Sequence, residues 1–499
     1  MIMKNHTPNP SQEGNSSEMT KGYRDKHLEG TIDPSKCHFK AGRSILFILM
    51  GISFLILVAC QQHTKSSEKS SEVSNDNTTQ VELSISDDSL LNLVQYQTFN
   101  YFWEGAEPNS GLACERVHLD NIYPSNDKNI VTTGGTGFGL MAILVGIERG
   151  FITREEGFNR FDKMVSFLEK ADRFHGAYPH WLNGETGKVK PFSKKDDGGD
   201  LVETAFLMQG LLAVRQYFSD GNEQEKALAG RINTLWEAVE WDWYTQGKDV
   251  LYWHWSPNYG WDMNFAVGGY NECLIMYILA ASSPTHPISK AAYTEGWARS
   301  GAIANDTTFY DLPTILDHYE HSKDPVGPLF WAHYSYLGLN PKGLKDQYGD
   351  YWKLNQNHAL IHYRYCVDNP KEYEGYGENC WGLTSSYSMR GYAGHNPSRD
   401  LGVISPTAAL SSFPYTPAES MKFLKFMYQP SLDSLRGKYG PYDAFSFEAD
   451  WYLPRYLAID QGPIPVMIEN YRSGFVWDLF AKVPEVQKGL EKLGFSYED

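Results

Sequence analysis

From residue 86 to the end, the chain repeats one pattern: a helical run of 11 to 20 residues, then a long loop rich in glycine and aromatic rings. Strong runs are Leu90–Glu104, Gly137–Arg149, Glu155–Lys170, Leu201–Phe218 and Glu225–Tyr244. Weaker ones follow at Tyr270–Ala281, Lys290–Ser300, Leu329–Leu339, Tyr351–Val367, Ala418–Tyr428, Pro463–Leu479 and Pro484–Leu493. LVETAFLMQGLLAVRQYF is apolar on most sides, as a helix covered on both faces must be, whereas EEGFNRFDKMVSFLEK carries one apolar stripe and one charged face. Strand-like alternation is confined to short pieces such as Gly187–Phe192 and Val250–His254. Alternating inner and outer helices predict an all-α fold, an (α/α)6 barrel or toroid of six helical hairpins. An α-solenoid would give similar periodicity, and the long loops decide: in a toroid they gather at one end and form a cleft.

Composition narrows the partner. Lys+Arg number 44 against 61 Asp+Glu, a formal charge of −17, and no basic block interrupts the helical region, so nucleic acid is not expected. Aromatic residues make up 14% of the chain, including 14 Trp and 32 Tyr. Most rings in such a chain are core, but a surplus on an acidic surface suits a neutral, hydroxyl-rich ligand, because pyranose faces stack on rings.

The N-terminal region reads as an address. Ile45–Ala59 is 15 nearly unbroken apolar residues after Lys40 and Arg43, short for a spanning helix and right for a signal-peptide core. It ends in Leu57-Val58-Ala59-Cys60, which resembles a bacterial lipoprotein box with Cys60 as the lipidated residue; an uncleaved anchor helix is the alternative. Residues 1–60 are therefore expected to be a polar extension plus signal peptide, 61–85 a Ser/Thr/Asn/Lys/Glu-rich flexible linker, and 86–499 one domain. The protein would be tethered by lipid and face an extracytoplasmic space, the periplasm or outer-membrane surface of a Gram-negative bacterium. Cys366 and Cys380 would pair there or remain buried thiols, and no cysteine or histidine spacing reads as a metal site.

Two loop-to-helix junctions carry candidate chemistry. In Asp196-Asp197-Gly198-Gly199-Asp200-Leu201-Val202-Glu203, the acids Asp196, Asp200 and Glu203 are spaced to converge at a helix entrance. Asp200 with Glu203 is also a capping pair, which leaves the preceding acids and glycines unexplained. In Gly268-Gly269-Tyr270-Asn271-Glu272, Glu272 is a lone carboxylate before a strongly apolar run. Burial there would raise its pKa, the state a general acid needs; satisfying the helix dipole is the structural alternative. Trp253, His254, Trp255 and Trp261 form an aromatic loop suited to a sugar platform. Arg390, Tyr392 and His395 form a hydrogen-bonding loop, and Asp443 is a further loop acid. Glu115 beside Arg116 reads as a local ion pair.

Other chemistries find no support. Thr133-Gly134-Gly135-Thr136-Gly137-Phe138-Gly139 is glycine-rich but lacks the Lys-Ser/Thr of a P-loop and a clear preceding strand, so it reads as close helix entry. HExxH and GxSxG are absent. Helices, several loop acids and abundant rings point to glycoside hydrolysis by paired carboxylates.

The segments TTGGTGFGLMAILVGIERGFI, DDGGDLVETAFLMQGLLA, GGYNECLIMYILAASSP, ISPTAALSSFPYTP and IDQGPIPVMIENYRSGFVW, in this order, resemble bacterial "glucoamylase-like" proteins similar to the endo-β-1,2-glucanases of glycoside hydrolase family 144. The resemblance runs from about Leu90 to Leu479. It implies an (α/α)6 barrel, an inverting β-1,2-glucanase acting endo or exo (releasing sophorose), and no metal or other cofactor. The family's acidic residues match Asp196, Asp200, Glu203 and Glu272. By environment Glu272 is the better general acid, while Asp200 or Glu203 stays ionised and orders or activates water. The protein is expected to act as a monomer on β-1,2-glucan. The rival reading is a non-catalytic glycan-binding lipoprotein of an outer-membrane uptake system, which needs stacking rings but no convergent acids. An eliminating lyase on the same barrel would favour a basic pocket, which this chain does not advertise.

Overall fold

The computed structural model describes residues 85–123, 128–318 and 326–498. The signal region, Cys60 and the linker to residue 84 lie outside the described residues. Among the latter, α-helices dominate: α1 (Asp87–Trp103), α2 (Thr133–Glu148), α3 (Arg154–Leu168), α4 (Leu201–Phe218), α5 (Glu223–Glu237) and α6 (Leu274–Ser282). There follow α7 (Tyr351–Asp368), α8 (Pro406–Leu410), α9 (Pro417–Met427), α10 (Ala458–Gln461), α11 (Pro463–Arg472), α12 (Phe475–Phe480) and α13 (Pro484–Leu493). The strands are two or three residues long and pair only as ribbons at loop ends, such as Trp181–Asn183 between Ile130–Thr132 and Val189–Lys190. None of these helices is long and apolar enough to cross a membrane.

Helices divide by sequence as expected. α4 is buried nearly end to end, and α2 from Thr133 to Gly146. α3 and α5 bury one stripe each and are closed by capping boxes, Thr153 with Glu156 and Asn222 with Glu225. The glycine run of α2 is inside the helix rather than ahead of it, four residues earlier than its apolar periodicity indicates. A Cβ on Gly137 would sit 2.1 Å from the Phe206 carbonyl oxygen, and one on Gly210 2.2 Å from the Gly137 carbonyl. Gly134 meets Glu203 and Phe206, and Gly137 meets Phe206 and Leu207, so contact advances in the same direction along both chains. α2 and α4 therefore lie parallel in backbone contact, and tight packing offsets the low helix propensity of glycine.

Elsewhere the structure departs from the periodicity. Leu329–Leu339 is two 3-10 turns, Leu329–Ala332 and Tyr334–Tyr336, following Pro328, whose extended backbone cannot continue a helix. Lys290–Ser300 holds a π-helical turn at Ala292–Trp297 and then residues of left-handed backbone, Arg299 and Ser300. Pro463–Leu479 is split by Gly474 in the left-handed region (φ 74°) into α11 and α12. Glu225–Tyr244 ends as a helix at Glu237, and Tyr270–Ala281 begins only at Leu274. Cys366 and Cys380 are free, buried thiols.

The α2–α4 crossing makes a sharp prediction. Gly137→Ala places a methyl against backbone atoms that no rotamer change can clear, so overpacking is expected to cost about 1–3 kcal/mol or more. A lowered denaturant midpoint measures it, and an unchanged midpoint would show that the two helices can part freely.

Candidate active site

The N-termini of α2, α4 and α6 meet at one cavity. Its wall includes Glu115, Arg116, His180, Trp181, Asp196, Glu203, Trp253, His254, Glu272, Phe330, Tyr334, Tyr387 and Tyr392.

The glycines of the first acidic motif are there for close approach. Gly199-Asp200 pairs antiparallel with His254-Trp255, register Gly199 to Trp255 and Asp200 to His254. A Cβ at Gly198 would fall 2.2 Å from the Trp255 carbonyl oxygen, and one at Gly199 1.9 Å from the Tyr244 hydroxyl. This pairing brings His254 beside the acids. Asp197 is spent on the loop itself, accepting from the Ser256 hydroxyl and from Asn258 Nδ2 at 2.7 Å.

Asp200 does cap α4: its Oδ1 accepts the Glu203 N–H at 2.9 Å. Its Oδ2 lies 2.9 Å from His180 Nδ1, and the residue is fully buried. With one oxygen on the helix and the other on the imidazole, it stands behind the cavity wall rather than on it. The capping box is not completed, because the Glu203 side chain turns away. Its Oε2 accepts the Gly134 N–H at 2.7 Å, and its Oε1 is 3.9 Å from His180 Nε2. α2 has no side-chain cap of its own from Thr132, so a carboxylate from α4 takes that place. Asp196 faces two imidazoles, His254 Nε2 at 3.4 Å and His180 Nδ1 at 3.9 Å.

His180 is the hub that sequence reading missed. Its ring stacks on Phe192 at 4.1 Å, and its nitrogens face three carboxylates. Burial disfavours its charge, but Glu203, Asp200 and Asp196 outweigh this and push its pKa up to about 10. His254 is likewise raised: burial opposes the charge, and Asp196 and Asp200 override it. Burial also works against ionisation of Asp200, yet the His180 hydrogen bond and charge, with His254, hold it below the usual carboxylate value. Glu203 moves the other way: burial and the Asp200 charge raise it more than His180 and the Gly134 N–H lower it.

Glu272 occupies a turn immediately before α6. Ser335 fixes that turn by donating to the Glu272 carbonyl and accepting the Ile275 N–H at 3.0 Å. The Glu272 side chain is buried, and its Oε2 has no hydrogen-bond partner. Burial, with a smaller push from Glu203, raises its pKa to about 8. Burial therefore favours its neutral, proton-bearing form.

The remaining predicted positions divide. Trp253, His254 and Tyr392 line the cavity. Trp255 and Trp261 do not: strand alternation turns Trp255 onto His175 at 5.1 Å, and Trp261 packs on Tyr244 and Tyr252. Arg390 is exposed on its turn, and His395 is wholly buried away from the wall. Asp443 sits behind the wall, accepting the Tyr387 N–H at 2.7 Å; burial raises its pKa and, more strongly, that of its neighbour Asp460. Glu115 and Arg116 do form an ion pair, and both line the cavity, with Arg116 5.9 Å over the Trp181 ring. His180, Asp460 and Tyr387 follow no spacing rule, since their partners come from distant segments.

His180, Asp196 and Asp200 each offer one ligand atom within 4.8 Å of the others, the described group whose geometry approaches a cation site. The chemistry fits poorly, because the His180 nitrogen nearest the acids is committed to Asp200, and a protonated imidazole has no lone pair for a metal.

Two buried carboxyls, Glu203 and Glu272, on one aromatic-lined cavity in a helical domain define the site of a carboxylate-dependent glycosidase. Comparison with known proteins agrees. The model of the family described as "Putative glucoamylase" matches residues 264–484. An exo β-1,2-glucooligosaccharide sophorohydrolase (non-reducing end) of Parabacteroides distasonis is 48% identical over 431 residues, 82% of this chain; the match spans 58% of that relative's length. The endo-β-1,2-glucanase of Chitinophaga pinensis, solved with sophorotriose and glucose, is 63% identical with a TM-score of 0.81, over 83% of this chain and 99% of that one. A structure described as a putative glucoamylase from Bacteroides caccae is 60% identical with a TM-score of 0.80, over 83% and 100%. The chain belongs to this glucoamylase-like family.

The Gly134 contact is testable. A Cβ there would lie 2.6 Å from Glu203 Oε2. Gly134→Ala is expected to displace the carboxylate and lower kcat by tenfold to a hundredfold while the melting transition stays cooperative. Unchanged kcat would remove Glu203 from the reaction.

Proposed function

We propose that this protein hydrolyses β-1,2-glucan with inversion at the anomeric carbon, Glu272 acting as general acid and Glu203 as the carboxylate that activates water. The observation that carries this is the pairing of two buried carboxyls on one cavity with different support for their charge. Glu203 has a backbone N–H and the His180 cation to stabilise its anion, whereas Glu272 has an apolar setting and an unpartnered oxygen. Because the Glu203 charge also raises Glu272, the favoured arrangement at neutral pH is anionic Glu203 with protonated Glu272. Asp200, which does not reach the cavity, positions His180 and caps α4. Asp196 and His254 complete the polar wall against substrate.

The substrate rests on kinship. The relative named as an endo-β-1,2-glucanase matches over nearly its whole length, and the exo-acting one over a smaller share of its own, which favours internal cleavage. The parallel α2 and α4, with α3 as the connecting outer helix, support closure into an (α/α)6 barrel. The sequence of the N-terminal region supports a lipid anchor at Cys60 and an extracytoplasmic location. Convergent buried acids argue against a purely glycan-binding role.

Incubation of the purified protein with linear β-1,2-glucan tests the reading. Medium-length oligosaccharides should appear first; sophorose alone from the start would mean exo action, and retarded migration without products would favour the binding protein. Glu272→Gln is expected to lower kcat on glucan by about 10²–10⁴, with far less loss on a substrate whose leaving group needs no proton. An equal loss on both would reassign Glu272. The pH profile provides a further check. Glu272 must hold its proton and its pKa is raised, so kcat/KM should fall as pH rises through about 8. Glu203 must be ionised and is also raised, so the acidic limb should lie above the usual carboxylate range. A plateau extending well above pH 8 would contradict the acid assignment.

A further inference from the structure

Trp261, displaced from the cavity, lines a second, open recess of about 630 Å³ on the surface together with Trp243, a volume in the range of small-molecule sites. Trp243 is 40% exposed. His175 stacks against its ring at 3.9 Å and 15°, and is itself held by Glu240 at 2.9 Å. Trp261 lies 6.3 Å from Trp243 with the rings inclined by 37°, and its own ring abuts Tyr244 at 5.8 Å and Tyr252 at 6.0 Å. Both indoles are thus fixed before any ligand arrives, which reduces the ordering cost of binding.

Polar groups surround the two rings. Asp242 Oδ1 accepts the backbone N–H of Trp243 at 3.0 Å and lies 3.1 Å from His286 Nδ1, and Gln246 Nε2 is buried without a hydrogen-bond partner. Rings inclined to one another, bordered by carboxylates, an imidazole and an amide, match a pyranose: an apolar C–H face for the indole and hydroxyls for the polar rim. An anionic ligand would meet Glu240 and Asp242, and an apolar segment would bury their charges, so both are disfavoured. Packed side chains connect the recess to the wall of the active site. His254 lines the cavity, the adjacent Trp255 meets His175 edge-on at 5.1 Å, and His175 supports Trp243.

We propose that Trp243 and Trp261 form a second glycan-binding site, on the outer side of the wall that carries His254, which takes glucosyl residues of β-1,2-glucan away from the bond being cut. The ligand's identity rests on the substrate reading above; the site itself rests on the rings. It would retain the enzyme on long chains without contributing to the chemical step.

The test compares the purified protein with its Trp243→Ala and Trp243→Tyr variants in native gels containing linear β-1,2-glucan. In parallel, kcat/KM is measured on the polymer and on a short β-1,2-glucooligosaccharide. Trp243→Ala should weaken polymer retardation by about 2- to 12-fold and leave kcat/KM on the short substrate unchanged, and Trp243→Tyr should restore most of the retardation. Equal retardation of wild type and Trp243→Ala overturns the proposal, as does a parallel loss on the short substrate, which would mean that Trp243 acts through the fold. If the wild type does not cleave β-1,2-glucan, the substrate reading fails by itself. The gels are then repeated with β-1,3- and α-1,4-glucans: Trp243-dependent retardation supports a surface glycan site, and its absence overturns one.

Discussion

The parallel contact of α2 and α4 fixes the geometry on which the site depends. Glycines at 137 and 210 bring the two backbones together, so both helices begin beside one cavity. The uncapped start of α2 then accepts the Glu203 carboxylate from α4. The contact serves packing and chemistry at once, since the N-terminal partial positive charge of α2 stabilises the anion that the reaction requires. A wider helix pair would leave Gly134 unsatisfied and Glu203 free to swing.

Electrostatics follow from that anchoring. Several carboxyls buried around one cavity cannot all ionise without compensation, and His180 provides it for three of them. The charges of the cluster are shared out by distance from that imidazole: Asp200, in hydrogen-bond contact, is held anionic, whereas Glu272 has no imidazole partner and keeps its proton. Two buried imidazoles, His180 foremost and His254 beside it, therefore favour charge on the acids they face, and Glu272, which faces neither, is the group able to donate. Behind Tyr387 no imidazole among the described residues compensates: burial raises both Asp443 and Asp460, the Asp443 charge raises Asp460 further, and hydrogen bonds from Asp460 and the Tyr387 N–H offset part of the rise at Asp443.

Local sequence was informative where local forces decide. The buried α4, the striped α3 and α5 and the acid-rich entrance to α4 were all legible, because periodicity and cap chemistry act over a few residues. The capping alternative at Asp200 also proved real: this residue caps, and its neighbour Glu203 does not complete the box. What stayed hidden depends on distant segments. His180 follows a proline in a loop and gains its role only when the strand pairing of Asp200 with His254 assembles the cluster. The aromatic loop was visible as a platform, but the face each ring takes depends on distant partners: the pairing with Gly199-Asp200 sets His254 toward the cavity and Trp255 away from it, and Tyr244 and Tyr252 hold Trp261 outside. The Leu329–Leu339 run looked helical from composition, yet Pro328 and the packing of its rings leave only 3-10 turns.

The short ribbon formed by Gly199-Asp200 and His254-Trp255 is thus a wall with two chemical faces. On one side Asp200 and His254 belong to the charged cluster; on the other, the Trp255 ring carries packing outward through His175 to Trp243. Such an arrangement needs glycine at 198 and 199, because any side chain there would collide with the Trp255 carbonyl or the Tyr244 hydroxyl and separate the two strands. These glycines sit between the acids because of backbone clearance rather than flexibility, and that clearance lets one ribbon hold a proton-handling cavity and an aromatic outer surface in fixed register.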